Sequence, residues 1–218
     1  AAILGYADSG SFDMARLPAN MQAWLQGYAD QLQWLQAHED ADVEALSYAP
    51  SEPIGPLLTT QWNQNEPFNE QCPLFVNGAR SVTGCVATAM GQLLKYLHQT
   101  YGSPRGTIMD IDEYDCATVW GQGQVHVHVE AKPMTEFDFD NMLEYYSGSE
   151  SNEQKEAVAK LMAYCGAAVG MDYRDDINGG SGAQTAAVPN ALRTYFGVRT
   201  NYAVRESYSY QQWTEMIC

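Results

Sequence analysis

A short run beginning at Thr83 places a cysteine at the start of a predicted helix. Thr83 and Gly84 form a turn, Cys85 follows, and the helical pattern continues to Leu97. A thiol at a helix N-terminus meets the positive end of the backbone dipole, which favours the thiolate, the form that attacks carbonyl carbons. Cys85 is therefore a candidate nucleophile, although a cysteine in an apolar helix is more commonly a small buried core residue.

A glutamine upstream of Cys85 supplies a second element of the same chemistry. Gln64 lies in the polar segment 61–65, Gln-Trp-Asn-Gln-Asn. Its side-chain amide and the backbone N–H of Cys85 would form a two-donor oxyanion hole. The alternative is a polar loop whose side chains bond their own backbone. Cysteine, helix start and upstream glutamine together favour a cysteine peptidase.

The charge balance restricts the partners. The 218 residues contain 11 Lys and Arg against 27 Asp and Glu, a formal net charge of -16. Such a chain repels phosphate backbones and anionic lipid, so we expect no nucleic-acid and no membrane partner. The five cysteines form no CxxC pair and are odd in number, which favours free thiols over a zinc ribbon or a disulfide framework.

Hydrophobic periodicity predicts helices first and strands later, an α+β fold. A helix is expected after Asn20, and Leu57–Trp62 should be extended. His126 and His128 fall on a strand with the neighbouring valines on its other face. Later helices should carry 157–165 and 188–196, separated by a glycine-rich loop within 175–185, and a further helix should start at Tyr210.

A change of composition predicts a boundary between about 40 and 52. The acidic run 38–44 has no apolar stripe, and the segment 47–56 that follows contains three prolines. Such a segment is typical of an extended, exposed linker. We therefore divide the chain into residues 1–45 and 46–218.

Several segments resemble the streptopain family of papain-fold cysteine peptidases. The likeness covers most of the chain, and it is most specific around Cys85. The segments that carry it are Gln61–Asn69, Thr83–Ala89 with Leu94-Lys95-Tyr96, Ile3–Tyr6 with Ser9–Asp13, Tyr146–Gly148, and Met171–Tyr173 with the loop up to Ala183.

The resemblance implies a papain-like catalytic domain in 46–218, preceded by the end of a pro-domain in 1–45. It implies a secreted bacterial zymogen that is cut near the predicted linker, with any signal peptide outside this sequence. Its partners would be peptide substrates and its own pro-domain, and no cofactor is expected. Cys85 would be the nucleophile and Gln64 the oxyanion donor, while Ser181, Gly182 and Ala183 would line the pocket for a hydrophobic substrate side chain.

The histidines depart from the family pattern. The family's catalytic histidine belongs to a later Gly-His-Ala type of strand motif, so we expect it beyond the end of this chain and expect the chain alone to be inactive. His98 lies more than three turns along the same helix as Cys85, out of hydrogen-bonding reach. His126 and His128 show no further ligand group in the sequence, so no metal site is predicted.

Two other functions use the same features. A non-catalytic protein with this fold would act as a binding protein or an inhibitor of a partner peptidase. A same-fold acyltransferase would use the thiol and the oxyanion hole for amide synthesis.

Overall fold

The computed structural model describes residues 55–120 and 123–209. It also describes nine single positions outside these ranges: Gln22, Leu25, Gln26, Ala29, Asp30, Gln33, Gln212, Trp213 and Met216. The chain divides into two compact units, Ala1–Pro53 and Ile54–Cys218. The predicted boundary between about 40 and 52 lies outside the described residues.

The first unit contains the predicted helix after Asn20. All six described positions between 22 and 33 are helical, which confirms the prediction at those positions. Gln26 and Asp30 are one turn apart, and the Gln26 amide donates to the Asp30 carboxylate at 2.8 Å. Pairs spaced by four residues face each other on a helix, so this contact supports the helical register.

The first described residues of the second unit, 55–63, form neither helix nor strand, and the first helix of this unit begins at the candidate nucleophile. Helix α1 comprises Cys85–Tyr101 and buries Ala87, Met90 and Leu94. It ends at Gly102, whose left-handed backbone lets its N–H bond the carbonyl of His98 at 2.7 Å. This glycine cap is a common helix terminus because glycine adopts positive φ without a Cβ clash.

Helices α2 and α3 each begin with a residue type that favours a helix start. Helix α2, Asn152–Ala168, is capped by Ser151, which exchanges hydrogen bonds with Gln154 in a capping box. Helix α3, Val188–Phe196, has a proline in its first turn, where no backbone donor is required. Both helices confirm the predicted positions.

A two-stranded antiparallel hairpin supplies the sheet. Strand β1 is Tyr114–Trp120 and strand β2 is Gly123–Val129. Val127 and Val129 are buried, whereas His126 and His128 are exposed. The alternation confirms the predicted β2, while β1 was not predicted.

The core of this unit forms where α1 meets α2. A Cβ added to Gly91 of α1 would lie 3.1 Å from the Met162 side chain of α2, so the missing side chain lets the helices approach closely. Residues on all sides of helix α2 are buried, which makes it the central helix of the unit. Its ten buried residues are Ala157, Val158, Ala159, Leu161, Met162, Ala163, Tyr164, Cys165, Gly166 and Ala167. The buried Cys165 confirms its predicted place in the core.

Three short 3-10 turns complete the described elements: Phe139–Asn141, Thr185–Ala187 and Arg205–Ser207. Helices together with a small sheet give the α+β class predicted from the sequence. Within the described ranges, no helix is both long and apolar enough to cross a bilayer.

Candidate active site

Cys85 is the first residue of α1, and its side chain is exposed. The first turn of this helix contains no acidic residue, so nothing there offsets the partial positive charge of the free backbone N–H groups. Three other described cysteines, Cys72, Cys116 and Cys165, are buried. Burial raises the pKa of the Cys72 thiol to about 12 and also raises those of Cys116 and Cys165, which keeps all three neutral. Cys85 is thus the accessible thiol among them.

Gly84 explains how the chain delivers Cys85 to the surface. Its φ of 82° lies in the region that favours glycine, and it directly precedes the helix. A Cβ at this position would lie 2.7 Å from the sulfur of Met171 and 3.1 Å from the carbonyl oxygen of Ser181. Both the backbone angle and the packing therefore require glycine before Cys85.

Two threonines fix the turn before Cys85 and connect it to Gln64. The Thr83 N–H donates to the carbonyl of Gln64 at 3.1 Å. The buried hydroxyls of Thr83 and Thr88 share a hydrogen bond of 3.0 Å, and the Thr88 hydroxyl also lies 3.1 Å from the carbonyl of Gly84. The backbone of Gln64 is therefore hydrogen-bonded to Thr83, which precedes Cys85 by two residues.

The Gln64 side chain is half-buried. Within the described part of the chain, no hydrogen bond engages the side-chain amide of Gln64. The neighbouring Asn63 differs, because its side-chain Oδ1 accepts a hydrogen bond from the Asn65 N–H at 2.9 Å. Asn63 thus behaves as the side chain of a polar loop that bonds its own backbone, whereas the two N–H donors of the Gln64 amide remain available. This is the arrangement that an oxyanion donor requires.

Side-chain hydrogen bonds tie the segment leading to Gln64 to the rest of the unit. The Trp62 indole N–H donates to the Leu143 carbonyl at 2.8 Å. The Gln92 amide of α1 lies 2.9 Å from both the carbonyl and the hydroxyl of Thr60. The loop is thus anchored to α1, the helix that carries Cys85.

A buried lysine on α1 supports the same segment. Lys95 is 2% exposed, donates to the Met142 carbonyl, and lies 3.3 Å from the Glu144 carboxylate. The Glu144 carbonyl in turn accepts from the Gln61 N–H at 2.7 Å. Sequence analysis named Lys95 only within the family resemblance and did not pair it with Glu144, because the two residues lie far apart in the chain.

The three predicted pocket residues have different roles in the structure. Ser181 is buried, and its hydroxyl lies 2.6 Å from the Val82 carbonyl and accepts from the Arg174 N–H at 2.9 Å. Its side chain therefore holds the backbone at Val82, just before Cys85, and does not line the groove formed by its neighbours. Gly182 exchanges two backbone hydrogen bonds with Asp172, of 2.9 and 3.0 Å.

Gly182 and Ala183 line an open groove of about 560 Å³. Among the described residues, no backbone hydrogen bond engages Ala183, so its N–H and carbonyl remain available to an extended peptide. Asp172 and Arg174 form an ion pair of 2.9 Å at the same groove. The remaining lining residues are Val169, Gly170, Gly180, Gln184 and Ala187.

Two of the three described histidines, His98 and His128, make side-chain contacts of their own. His98 is thirteen residues beyond Cys85 on α1, about 20 Å along the axis at ~1.5 Å per residue. Its Nδ1 lies 2.8 Å from the Pro104 carbonyl, and its ring stacks on Phe139. His128 lies 2.9 Å from Asp115 across the hairpin, and His126 is exposed on the same strand face.

The comparisons with known proteins extend over the whole site. The Peptidase C10 family matches residues 62–218. The thiol protease/hemagglutinin PrtT of Porphyromonas gingivalis is 30% identical over 231 residues, covering 99% of this chain and 25% of that protein. Streptopain of Streptococcus pyogenes is 29% identical over 237 residues, covering 99% of this chain and 55% of streptopain. The chain thus spans about half or less of the length of these curated relatives.

Two solved structures share the fold. Active wild-type interpain A cysteine protease of Prevotella intermedia matches with a TM-score of 0.61 and 34% identity, covering 75% of this chain and 63% of interpain A. A fragment of prointerpain A of the same organism matches with a TM-score of 0.61 and 32% identity, covering 84% of this chain and 60% of the fragment. These likenesses support the α+β, papain-like fold expected from the sequence. The chain belongs to the Peptidase C10 family, as its resemblance to streptopain predicts.

Proposed function

We propose that the full-length protein is a cysteine endopeptidase that uses Cys85 as its nucleophile. The observation that carries this proposal is the accessible Cys85 thiol at the start of α1, two residues after the Thr83 N–H that holds the Gln64 backbone. Thiolate attack requires access, a locally positive environment and nearby oxyanion donors. The exposed thiol, its place at the helix start and the neighbouring Gln64 backbone support these three conditions.

The reaction proceeds in two steps. The Cys85 thiolate, paired with an imidazolium, attacks the peptide carbonyl and forms a tetrahedral intermediate whose oxyanion accepts from the Gln64 amide and the Cys85 N–H. The carbon–nitrogen bond then breaks, the amine leaves with the imidazolium proton, and a thioester remains. Water, deprotonated by the imidazole, attacks the thioester and releases the acid and the thiolate.

We propose that the general base is a histidine outside residues 1–218. His98 is fixed to the far end of α1, and His128 is engaged by Asp115 on the hairpin. A base must reach the thiol within hydrogen-bonding distance or through one water. The contacts of these two histidines therefore support a base supplied by other residues.

The proposed substrates are extended peptides and proteins that bind along the groove at Ala183. The available backbone groups of Ala183 support strand-like pairing with a substrate segment. We also propose a secreted bacterial zymogen whose pro-domain ends within residues 1–45. The likeness to a prointerpain fragment over 84% of this chain supports this pro-domain proposal.

Replacing the nucleophile tests the proposal. Cys85→Ala in the full-length protein should abolish hydrolysis of a quenched peptide, because no thioester can form, and leave the circular dichroism spectrum unchanged. Ala89→Ser, a change at another exposed position in the first turns of α1, serves as the matched control and should retain activity. Undiminished hydrolysis by Cys85→Ala would refute the assignment.

A further inference from the structure

Four ionisable side chains gather on the exposed face of the hairpin. In the hairpin register Asp115 lies opposite His128, and Tyr114 lies opposite Val129. The Ile111–Lys132 bridge continues the same register beyond the strands. Glu113 therefore lies opposite Glu130, between the Ile111–Lys132 pair and the Tyr114–Val129 pair. Residues two apart on a strand share a face. The backbone alone therefore places Glu113, Asp115, His128 and Glu130 together.

The imidazole of His128 is oriented toward the two glutamates. Its Nδ1 lies 2.9 Å from an oxygen of Asp115. Its Nε2 lies 3.9 Å from a carboxylate oxygen of Glu113 and 3.7 Å from one of Glu130. A carboxylate on one ring nitrogen fixes the tautomer and leaves the other nitrogen as a ligand, which is how metal-binding histidines are commonly held.

The spacing fits the size of a metal ion. One nitrogen of His128 and one oxygen each of Glu113 and Glu130 lie within 4.8 Å of one another. Metal–ligand distances of about 2.0–2.2 Å place neighbouring tetrahedral ligands roughly 3.4 Å apart. The side chains are exposed, so small rotations bring them to this spacing and leave further positions open to water.

The three carboxylates of this cluster share one ion-paired partner, His128, and Lys132 lines the same cavity as His128 and Glu130 without an ion pair to them. Glu113 and Glu130 are like charges directly opposite each other, an arrangement that destabilises a strand pair. Among the described residues, no lysine or arginine forms an ion pair with Glu113, Asp115 or Glu130, whose salt-bridge partner is His128 alone. One imidazolium offsets at most one of three carboxylates, whereas a divalent ion offsets two.

We propose that His128, Glu113 and Glu130 bind a divalent transition-metal ion on the exposed face of the hairpin, with Asp115 orienting His128. An imidazole nitrogen with two carboxylates suits Zn²⁺ better than Ca²⁺, which prefers oxygen ligands alone. The ion would join β1 to β2 at the base of the hairpin. This site is separate from the proposed peptidase chemistry and does not depend on it.

Calorimetric titration with ZnCl2 tests the site. The full-length protein carrying Cys85→Ala, which removes the exposed thiol as a competing ligand, is freed of metal with a chelator and titrated. We expect one saturable equivalent. His128→Gln and the double variant Glu113→Gln/Glu130→Gln should each weaken binding at least tenfold, and Asp115→Asn should weaken it about 10- to 100-fold, the usual effect of losing an orienting partner.

The chain offers a matched control in His126, an exposed histidine on the same face of β2. His126→Gln should change the zinc affinity by less than about twofold, and every variant should keep the parent circular dichroism spectrum. Absence of saturable binding, or full affinity in His128→Gln, would overturn the proposal. Equal affinity for Ca²⁺ and Zn²⁺ would also overturn it, because it would indicate a simple carboxylate cluster.

Discussion

Gly84 determines whether the nucleophile can be presented at all. Its backbone has a φ of 82°, and an added Cβ would lie 2.7 Å from the Met171 sulfur. We expect Gly84→Ala to lower the free energy of unfolding by about 1–3 kcal/mol, the usual cost of such a backbone in a non-glycine residue. Chemical denaturation measures this difference.

Gly102 provides the control for this prediction. It also has a positive φ, of 68°, but nothing lies within 4 Å of an added Cβ. Gly102→Ala should therefore cost less than Gly84→Ala and leave peptidase activity unchanged, whereas Gly84→Ala should also reduce activity. Equal effects of the two substitutions would show that the contact with Met171 is unimportant.

Gln64 is predicted to act on the transition state. Gln64→Ala should lower kcat by about 10²–10³, or about 3 kcal/mol, the typical effect of losing one oxyanion donor. KM should change little, because the oxyanion forms only after attack. Steady-state kinetics of the full-length protein with a peptide substrate measure both constants.

The neighbouring Asn65 supplies the comparison for Gln64. Asn65 is exposed in the same loop, so Asn65→Ala removes a similar amide at almost the same place. Its kcat should stay within about threefold of the parent value, far less than the loss of a donor. A comparable loss in both variants would indicate a disturbed loop instead of a lost donor.

At the scale of elements, the Lys95–Glu144 pair links α1 to the segment that carries Gln64. Burial acts to raise the pKa of Glu144, but hydrogen bonds from Thr59 and Gln99, together with the charge of Lys95, outweigh it and hold the pKa below its usual range. A carboxyl group with a lowered pKa stabilises the fold above its unfolded pKa of about 4.3. That contribution is lost as the pH falls through the folded pKa.

The pair therefore predicts a pH-dependent effect of Glu144→Gln. At pH 7 the variant should be less stable than the parent, because the buried Lys95 ammonium loses its partner. As the pH falls below the usual glutamate range, the parent carboxylate becomes protonated and the difference should shrink. Urea denaturation at several pH values measures it, with the exposed Glu156→Gln of α2 as the control. A difference that is constant with pH would contradict the account.

Local signals predicted most elements, whereas long-range pairing did not appear in the sequence. The start of α1 at Cys85, the Ser151 cap of α2 and the early proline of α3 all depend on residues adjacent to the element they begin. Strand β1 was not predicted, because its apolar and polar residues alternate only weakly. Pairing with β2, which local sequence does not show, determines where this strand lies. The Ser181 hydroxyl was expected near the substrate, but its contact with Val82, 99 positions earlier, turns it inward.

The same distinction holds for the two sites of the molecule. Cys85 and Gln64 follow from local context and from the resemblance to streptopain. The His128 cluster does not, because sequence analysis found no further ligands for this histidine. Glu113 and Asp115 precede it by more than ten residues, and only the hairpin register brings them opposite β2. Cross-strand neighbours are fixed by pairing, which composition and local periodicity do not encode.

For the whole molecule, covalent labelling of the nucleophile tests the central claim most directly. The full-length protein would be treated with a substrate-like peptidyl epoxide, digested and mapped by mass spectrometry. We predict one adduct per molecule, located on Cys85, together with complete loss of peptide hydrolysis. The buried Cys72, Cys116 and Cys165 serve as internal controls and should stay unmodified. Full inhibition with an unmodified Cys85, or an adduct on another residue, would contradict the assignment of the nucleophile.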